Sequence, residues 1–219
     1  MKNEYYPNKG IFHLLKSKYK EGGLSHVMAE SFDYLFDIFT FPSLKAKKTF
    51  IYKGVPLNYF YHKYNKTWKN ERSIEIPVAL YELEKYKGKR ILEVGNVLQH
   101  YVKVDHEVLD KYEPGDNIIH EDILNCNHSN YDFIISISTI EHIGIDDKPF
   151  NPNKAIVALQ KMQSMLKDGG KIFISFPVGY NSALTALSES ERYKDRMIYK
   201  YSPTKIVAFL ELNKEDNFA

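Results

Sequence analysis

The chain has 219 residues, a length that fits one sizeable domain with an extension and excludes a string of small modules. Hydrophobic residues make up 43% and charged residues 26%, an ordinary globular composition that excludes wholesale disorder. The net charge of +2 conceals a split, because residues 1–72 hold 13 basic and 6 acidic side chains whereas residues 73–219 hold 17 and 22. The split predicts an amino-terminal extension over 1–72 and a main domain over 73–219.

Several classes of protein are excluded at this stage. No apolar run approaches the ~18 residues of a membrane span, and no apolar stretch follows the charged start, so a cytoplasmic chain is expected. A single cysteine, Cys126, leaves neither an internal disulfide nor a thiolate cluster. No two histidines have the i, i+4 spacing of a helical zinc site, so no metal is predicted.

The amino-terminal extension is predicted to be helical and then extended. Apolar residues recur at helical spacing over 11–19 and again over 24–39. The stretch 49–64 is rich in β-branched and aromatic residues and is broken by Lys53-Gly54, which indicates a hairpin. Helical spacing returns over 71–86, with Pro77 in the first turn and Gly88 as the carboxyl-terminal cap.

From residue 89 the pattern changes to short apolar runs separated by loops and helices, which is typical of buried parallel strands. The runs are Arg90–Val94, Glu107–Asp110, Asn117–His120, Tyr131–Ser138 and Lys171–Phe176. A helix is predicted over 155–166, and the last segments, 197–201 and 206–212, are candidate strands, although 205–213 could equally be helical. The predicted fold is α/β, a Rossmann-like doubly wound and mostly parallel sheet with an amino-terminal helical and hairpin cap.

Carboxylates end or follow the predicted strands of this sheet. Glu93 closes the first strand just before Gly95, Asp110 ends the second, and Asp122 follows the third. Ligands of doubly wound sheets bind at the carboxyl ends of the strands, where a glycine admits a ligand and an acid can accept from ribose hydroxyls. The pattern favours an adenosine ligand, and the absence of G-x-G-x-x-G disfavours a dinucleotide. Each carboxylate alone could equally be a cap or strand-end residue.

In this order the motifs resemble the class I S-adenosylmethionine-dependent methyltransferases. The resemblance covers residues 89–178, and the matching pieces are Arg90-Ile91-Leu92-Glu93-Val94-Gly95, Val108-Leu109-Asp110, Glu121-Asp122-Ile123-Leu124, Tyr131-Asp132-Phe133-Ile134-Ile135-Ser136, Thr139-Ile140-Glu141-His142-Ile143 and Met165-Leu166-Lys167-Asp168-Gly169-Gly170-Lys171. It implies S-adenosyl-L-methionine as cofactor and a helix and two closing strands after residue 176.

The resemblance also implies a role for each cofactor residue. Glu93 and Gly95, with Asn96 in the same loop, would frame the methionine end, and Asp110 would hold the ribose. The remaining predicted contacts are to the adenine and to the far side of the cofactor, from Asp122, Ile123, Ser138 and Thr139. The family usually has a second glycine where this chain has Val97, and a β-branched residue there disfavours positive φ. Either the loop follows another path or the cofactor binds weakly.

A narrower resemblance concerns the methyl acceptor. The stretches 64–77 and 93–101 are similar to methyltransferases that accompany glycosyltransferases in surface-glycan pathways, which implies a hydroxyl of a sugar, glycolipid or other small molecule as acceptor. Trp68, Asn70 and Arg72 could supply an aromatic face and hydroxyl partners. The same segment could instead be a packed hinge with an Arg–Glu pair.

His142 is the predicted general base, because among the histidines between residues 100 and 142 only it lies just past the fourth strand. The alternative is a capping or packing role, and Asp146 and Asp147 are substitute bases or metal ligands. The lysine runs at 16–20 and 45–48 could attract a phosphorylated or membrane-surface glycan, or simply be a solvated face.

Three other functions stay open. An RNA or protein methyltransferase would bind a polyanion or a peptide, although the modest net charge gives no strong nucleic-acid signal. An oxidoreductase would prefer NAD, which the missing glycine fingerprint disfavours. A non-catalytic scaffold would bind neither cofactor. The sequence does not predict an oligomeric state.

Overall fold

The structure is a computed structural model that describes residues 23–25, 28, 32, 48–113, 115, 117–190, 193, 197–200 and 206–216. The chain divides into two compact units, 1–49 and 50–219. In the first unit, residues 23–25, 28 and 32 are helical, as the spacing over 24–39 predicts, and the side chains of Leu24, Met28 and Phe32 are exposed. The helix predicted over 11–19 and all lysines of the two runs except Lys48 lie outside the described residues.

In the second unit the chain forms a small hairpin and then a large mixed sheet with helices. The hairpin strands are β1 (Thr49–Tyr52) and β2 (Val55–Asn58), joined at Lys53-Gly54 as predicted. The helices that follow are α1 (Arg72–Glu84), α2 (Lys154–Met165) and α3 (Ser182–Glu189). The strands of the large sheet are β3 (Ile91–Val94), β4 (Glu107–Leu109), β5 (Ile118–Ile119), β6 (Tyr131–Ile137), β7 (Leu166–Pro177), β8 (Met197–Lys200) and β9 (Ile206–Asn213).

The large sheet has the order β5-β4-β3-β6-β7-β9-β8. The first five strands in chain order pair in parallel, and β9 runs antiparallel to both β7 and β8. The chain therefore builds outward from β3 to β5 and returns to β6 on the other side, which makes the crevice between β3 and β6 the switch point. The predicted Rossmann-like fold is confirmed, and 206–213 is the strand rather than the helix.

Both faces of the sheet are buried, and the period of two in the strands determines which residues face which layer. In β6, Ile134 packs with α2 and α3, whereas its neighbours Phe133 and Ile135 pack with α1 and the hairpin. The hairpin is held by Lys53, whose Nζ pairs with Glu82 of α1 and Glu211 of β9, both at 2.9 Å. The hairpin thus belongs to the layer that covers one face.

Helix α1 differs from the expectation at both ends. Pro77 is its sixth residue and not part of the first turn, because the helix begins at Arg72. A proline has no N–H, so the carbonyl of Ser73 loses its helical donor. The N–H of Phe60 donates to that carbonyl instead, at 2.8 Å, which fastens the preceding segment to the helix. At the other end the cap is Lys85, and Gly88 with φ 75° forms the later turn into β3.

Candidate functional site

A cavity of about 280 Å³ lies at the switch point, beyond the carboxyl ends of β3, β4 and β6. Seven of the residues predicted to bind cofactor or to catalyse line it, namely Gly95, Asp110, Asp122, Ile123, Ser138, Thr139 and His142. Lys111, Tyr112, Leu124 and Ile143 add further polar and apolar lining. Sheet topology brings these residues together from five separate stretches of the chain, and we call this space the first cavity.

The loop after β3 makes a close turn against the segment after β6. Gly95 has φ 89°, and a Cβ built there would overlap the side chain of Thr139, so only glycine fits this position. Val97 has φ −109°, a conformation that a β-branched residue adopts without strain, and its side chain is buried with the α1 layer. The loop therefore follows a path that does not require the second glycine of the methyltransferase pattern.

Asp110 is the central carboxylate of the first cavity. Its Oδ1 accepts from the N–H groups of Tyr112 and Glu113 at 2.8 and 2.7 Å, and its Oδ2 accepts from the N–H of Asn96 at 2.9 Å. An ionised carboxylate offers about four lone-pair positions, so about one remains free, on Oδ2. Asp110 can therefore accept from one ligand hydroxyl rather than from both hydroxyls of a ribose.

Asp122 is fixed by the loop that follows β5. Its Oδ1 accepts from the N–H of Leu124 at 3.0 Å, and its Oδ2 pairs with Lys111 Nζ at 2.9 Å. Partial burial raises the pKa of Asp122, but these two partners outweigh that effect and hold the pKa below its usual value. The side chain of the adjacent Ile123 is buried against the α2 layer and presents an apolar wall.

Two predicted cofactor residues do not line the first cavity. Glu93 is fully buried, and its carboxylate accepts from the N–H groups of Val97 and Leu98 and contacts His106 Nε2 at 2.9 Å. Its carboxylate therefore shapes the loop after β3. Asn96 is also buried, and its Oδ1 has no hydrogen-bond partner in the described part of the chain, although its own N–H is held by Asp110.

A second cavity, of about 450 Å³, shares Ser138 and His142 with the first. It lies between the start of α1, the one-turn helix 140–142 and the segment after β7. Its remaining lining comes from Glu71, Arg72, Glu141, Pro177, Val178, Gly179, Tyr180 and Ile206. Ser138, which separates the two cavities, has φ 37°, a left-handed conformation that is uncommon for a residue with a side chain and is often found at functional sites.

The Arg72 side chain lines the second cavity and is paired with the carboxylate of Glu75. Its Nη1 lies 2.6 Å from Oε2 of the fully buried Glu75, whose Oε1 accepts from the Ser138 hydroxyl at 2.5 Å. Burial raises the pKa of Glu75, and the Arg72 charge and the Ser138 hydroxyl oppose that rise. The predicted Arg–Glu pair of a packed hinge is therefore present, and the same arginine borders the second cavity.

Glu141 is a site residue that the sequence analysis did not assign. Its side chain is 2% exposed, and its Oε2 has no hydrogen-bond partner among the residues that the structure describes. Burial, together with the charges of Glu75 and Glu71, raises the pKa of Glu141 to about 8, against the opposing charge of Arg72. A glutamate directly before the predicted base was the available signal, but its burial could not be inferred from position alone.

His142 lies where the two cavities meet. Its Nδ1 is 2.9 Å from Asp146 Oδ2 and 3.1 Å from the Tyr180 hydroxyl. A carboxylate accepts only, so the Asp146 contact favours the tautomer with the proton on Nδ1 and leaves the Nε2 lone pair free. Nε2 lies 4.0 Å from Glu141 Oε1.

The other predicted acceptor residues have local partners. Trp68 stacks on Tyr61 with ring centroids 4.8 Å apart. Asn70 donates to the carbonyl of Asn65 at 2.7 Å and accepts from the N–H of Arg72 at 3.1 Å, so it shapes the start of α1. Neither of them lines the two cavities.

The described residues include neither a metal-binding cluster nor a membrane-spanning helix. In that part of the chain no group of three or more His, Cys, Asp or Glu side chains is placed to hold a metal ion. The described helices likewise include none that is long and apolar enough to cross a membrane.

The chain is similar to several solved methyltransferase structures, all at low identity. The N-methyltransferase NodS from Bradyrhizobium japonicum WM9 is 14% identical, with 65% of this chain and 96% of that chain covered and a TM-score of 0.45. The Burkholderia thailandensis 1,6-didemethyltoxoflavin-N1-methyltransferase, solved with S-adenosylhomocysteine, is 10% identical, with 76% and 99% covered and a TM-score of 0.44.

Coverage of other solved structures is smaller. The chain spans 47% of the CcbJ methyltransferase from Streptomyces caelestis, at 13% identity and a TM-score of 0.35, with 45% of this chain covered. It spans 55% of a chain in the complex between the Haloferax volcanii Trm112 methyltransferase activator and a methyltransferase, at 13% identity and a TM-score of 0.33, with 50% of this chain covered.

Family membership is determined at the level of sequence. No curated protein matches the chain. A family model does match, over residues 88–199, which include β3 to β7 and the residues that line the first cavity. The chain belongs to the family described as Caenorhabditis protein of unknown function, DUF268.

Proposed function

We propose that this protein transfers a methyl group from S-adenosyl-L-methionine to a small-molecule or glycan acceptor. The observation that carries the proposal is the first cavity, which lies at the switch point of a doubly wound sheet and is lined by Gly95, Asp110, Asp122 and Ile123. The adjoining second cavity gives room for an acceptor, and His142 borders both.

The residues of the first cavity fit an adenosyl group. Asp110 keeps one acceptor position for a ribose hydroxyl. Asp122 can accept from an exocyclic amino group, while Ile123 and Leu124 supply an apolar wall for a base. The cavity offers no glycine-rich cradle for a pyrophosphate, which disfavours NAD.

S-adenosyl-L-methionine supplies an activated methyl group when bound. The protein must align the acceptor with that group and exclude water, and in-line alignment accounts for most of the expected rate enhancement. If the acceptor is a hydroxyl, His142 Nε2 accepts its proton, while Asp146 at Nδ1 orients the ring and stabilises the imidazolium. We propose a hydroxyl of a sugar or glycolipid as the methylated group.

Binding tests the proposal directly. Calorimetry should show that S-adenosylmethionine and S-adenosylhomocysteine bind and that NAD does not. Loss of one charged hydrogen bond costs about 1.5–3 kcal/mol, so Asp110→Asn should weaken cofactor binding about 10- to 100-fold. Asp105→Asn, an exposed acid in the loop before β4, is the matched control. Tight NAD binding, or unchanged cofactor affinity in Asp110→Asn, contradicts the proposal.

A further inference from the structure

Among the described residues, the second cavity has more carboxyl groups than free cationic groups. Glu71 and Glu141 line it, and Arg72 is the arginine among its lining residues. The Arg72 guanidinium is paired with the buried Glu75 at 2.6 Å, and Nδ1 of His142 is paired with Asp146. No lysine lines this cavity among the described residues. A cationic ligand group would therefore find a carboxyl partner there once Glu141 releases its proton, and an anionic group would be repelled.

Glu141 marks the position at which a ligand group would be held. Its side chain is 2% exposed and belongs to the cavity lining, and its Oε2 has no partner among the described residues. A buried polar atom without a hydrogen bond destabilises the folded protein, so such an atom requires an explanation. A ligand that donates to Oε2 would remove that cost when it binds.

We infer that the second cavity binds an acceptor carrying a protonated amino group, which Glu141 Oε2 holds beside the hydroxyl that faces His142. The inference rests on the proposed function, because it names the chemical class of the same acceptor. The 4.0 Å between His142 Nε2 and Glu141 Oε1 requires the amino and hydroxyl groups to be close neighbours in the acceptor. An amino sugar has this arrangement.

Binding of the amino group releases a proton from the protein to solvent. When Glu141 is protonated, the arriving ammonium replaces its proton as partner, the carboxyl becomes a carboxylate, and the proton goes to solvent. The groups that face Glu141 are Glu71, Arg72 and Glu75 from the α1 region and His142 from its own helix. Tyr180 completes the cavity wall from the segment after β7.

The test compares glucosamine with glucose, two probes that differ by an amino group in place of a hydroxyl. Each is titrated into the full chain at pH 7 and followed by saturation-transfer NMR, with and without S-adenosylhomocysteine. The charge-assisted hydrogen bond favours glucosamine, but Glu141 must first release its proton at pH 7, so glucosamine should bind more tightly than glucose by up to about tenfold. Glucose 6-phosphate, the anionic probe, should bind more weakly than either.

Glu141→Gln should abolish the preference for glucosamine, because an amide keeps the shape but cannot release a proton to become the carboxylate that pairs with the ammonium. The matched control is Glu84→Gln, at the end of α1, where the side chain is 73% exposed and should leave the preference unchanged. Equal binding of glucosamine and glucose by the wild-type chain, absence of glucosamine binding, or preference for glucose 6-phosphate overturns the inference. Failure of S-adenosylhomocysteine to bind while the glucosamine preference persists overturns the proposed function alone.

Discussion

The carboxyl groups of the two cavities differ in their hydrogen bonding and in the direction of their pKa shifts. In the first cavity, Asp110 and Asp122 accept from backbone N–H groups within three residues, and Lys111 pairs with Asp122. In the second cavity, Glu141 is more deeply buried and one of its oxygens has no partner among the described residues. The pKa of Asp122 is lowered, whereas that of Glu141 is raised to about 8. The carboxylates of the first cavity are hydrogen-bonded without a ligand, whereas Oε2 of Glu141 in the second cavity gains a partner only when a ligand binds.

Side-chain length explains this difference. An aspartate at the end of a strand reaches the N–H groups two and three residues ahead, so the loop itself satisfies it. Glu141 lies inside the one-turn helix 140–142, where its longer side chain is buried away from those groups. The comparison predicts that substitutions in the second cavity change turnover and the pH dependence of stability. Substitutions in the first cavity should instead change cofactor affinity and the free energy of unfolding.

The largest expected effect is on turnover. His142→Gln removes the basic nitrogen, and loss of a general base costs about 10²–10⁴-fold in rate. The measurement is transfer of a labelled methyl group from S-adenosylmethionine to the best acceptor of an amino-sugar and sugar panel. His128→Gln, a half-buried histidine before β6 that lines neither cavity, is the matched control. S-adenosylhomocysteine should bind His142→Gln as it binds the wild type, and turnover within threefold of wild type would remove His142 from the mechanism.

The next effect tests the close turn of the first cavity. Gly95→Ala forces a positive φ on alanine and drives its Cβ into Thr139, whereas Gly88→Ala, with φ 75° and open space, introduces only the backbone strain. Strain alone costs about 1–2 kcal/mol. We expect Gly95→Ala to lose about 1–3 kcal/mol more in urea unfolding than Gly88→Ala, because overpacking adds about that much. Equal losses would mean that Thr139 yields easily.

The sequence was sufficient for the fold and for most of the first cavity, because strand ends and their following acids are local features. Gly95, Asp110 and Asp122 follow consecutive strands of one sheet, and sheet topology then brings them together. The sequence does not show that the oxygens of Asp110 are largely occupied, that Glu93 is turned into the loop, or that Glu141 is buried. Those facts depend on which N–H groups a loop presents and on packing between distant elements.

A smaller effect separates the two kinds of carboxyl group by pH. Because the pKa of Glu141 is raised to about 8 in the folded state, the native protein holds a proton that the unfolded chain releases above its ordinary pKa near 4.5. Its contribution to stability is complete below about pH 4.5 and is lost as pH rises to about 8. Glu141→Gln should lack this component, so the difference in unfolding free energy between variant and wild type should rise across this window. Parallel pH profiles would show that Glu141 titrates normally.

The smallest effect concerns the ion pair of the first cavity. Lys111 and Asp122 lie 2.9 Å apart with side chains 44% and 26% exposed, so solvent screens their attraction and the pair is worth about 0–1 kcal/mol. Lys111→Met should therefore lower the unfolding free energy by less than about 1 kcal/mol, and only at low salt. Because Asp122 keeps the N–H of Leu124, cofactor affinity in calorimetry should change less than about tenfold. A larger loss of cofactor affinity would mean that the first cavity depends on the charge of Lys111. The contrast between carboxylates that are hydrogen-bonded within the protein and a carboxyl group that needs a ligand would then fail.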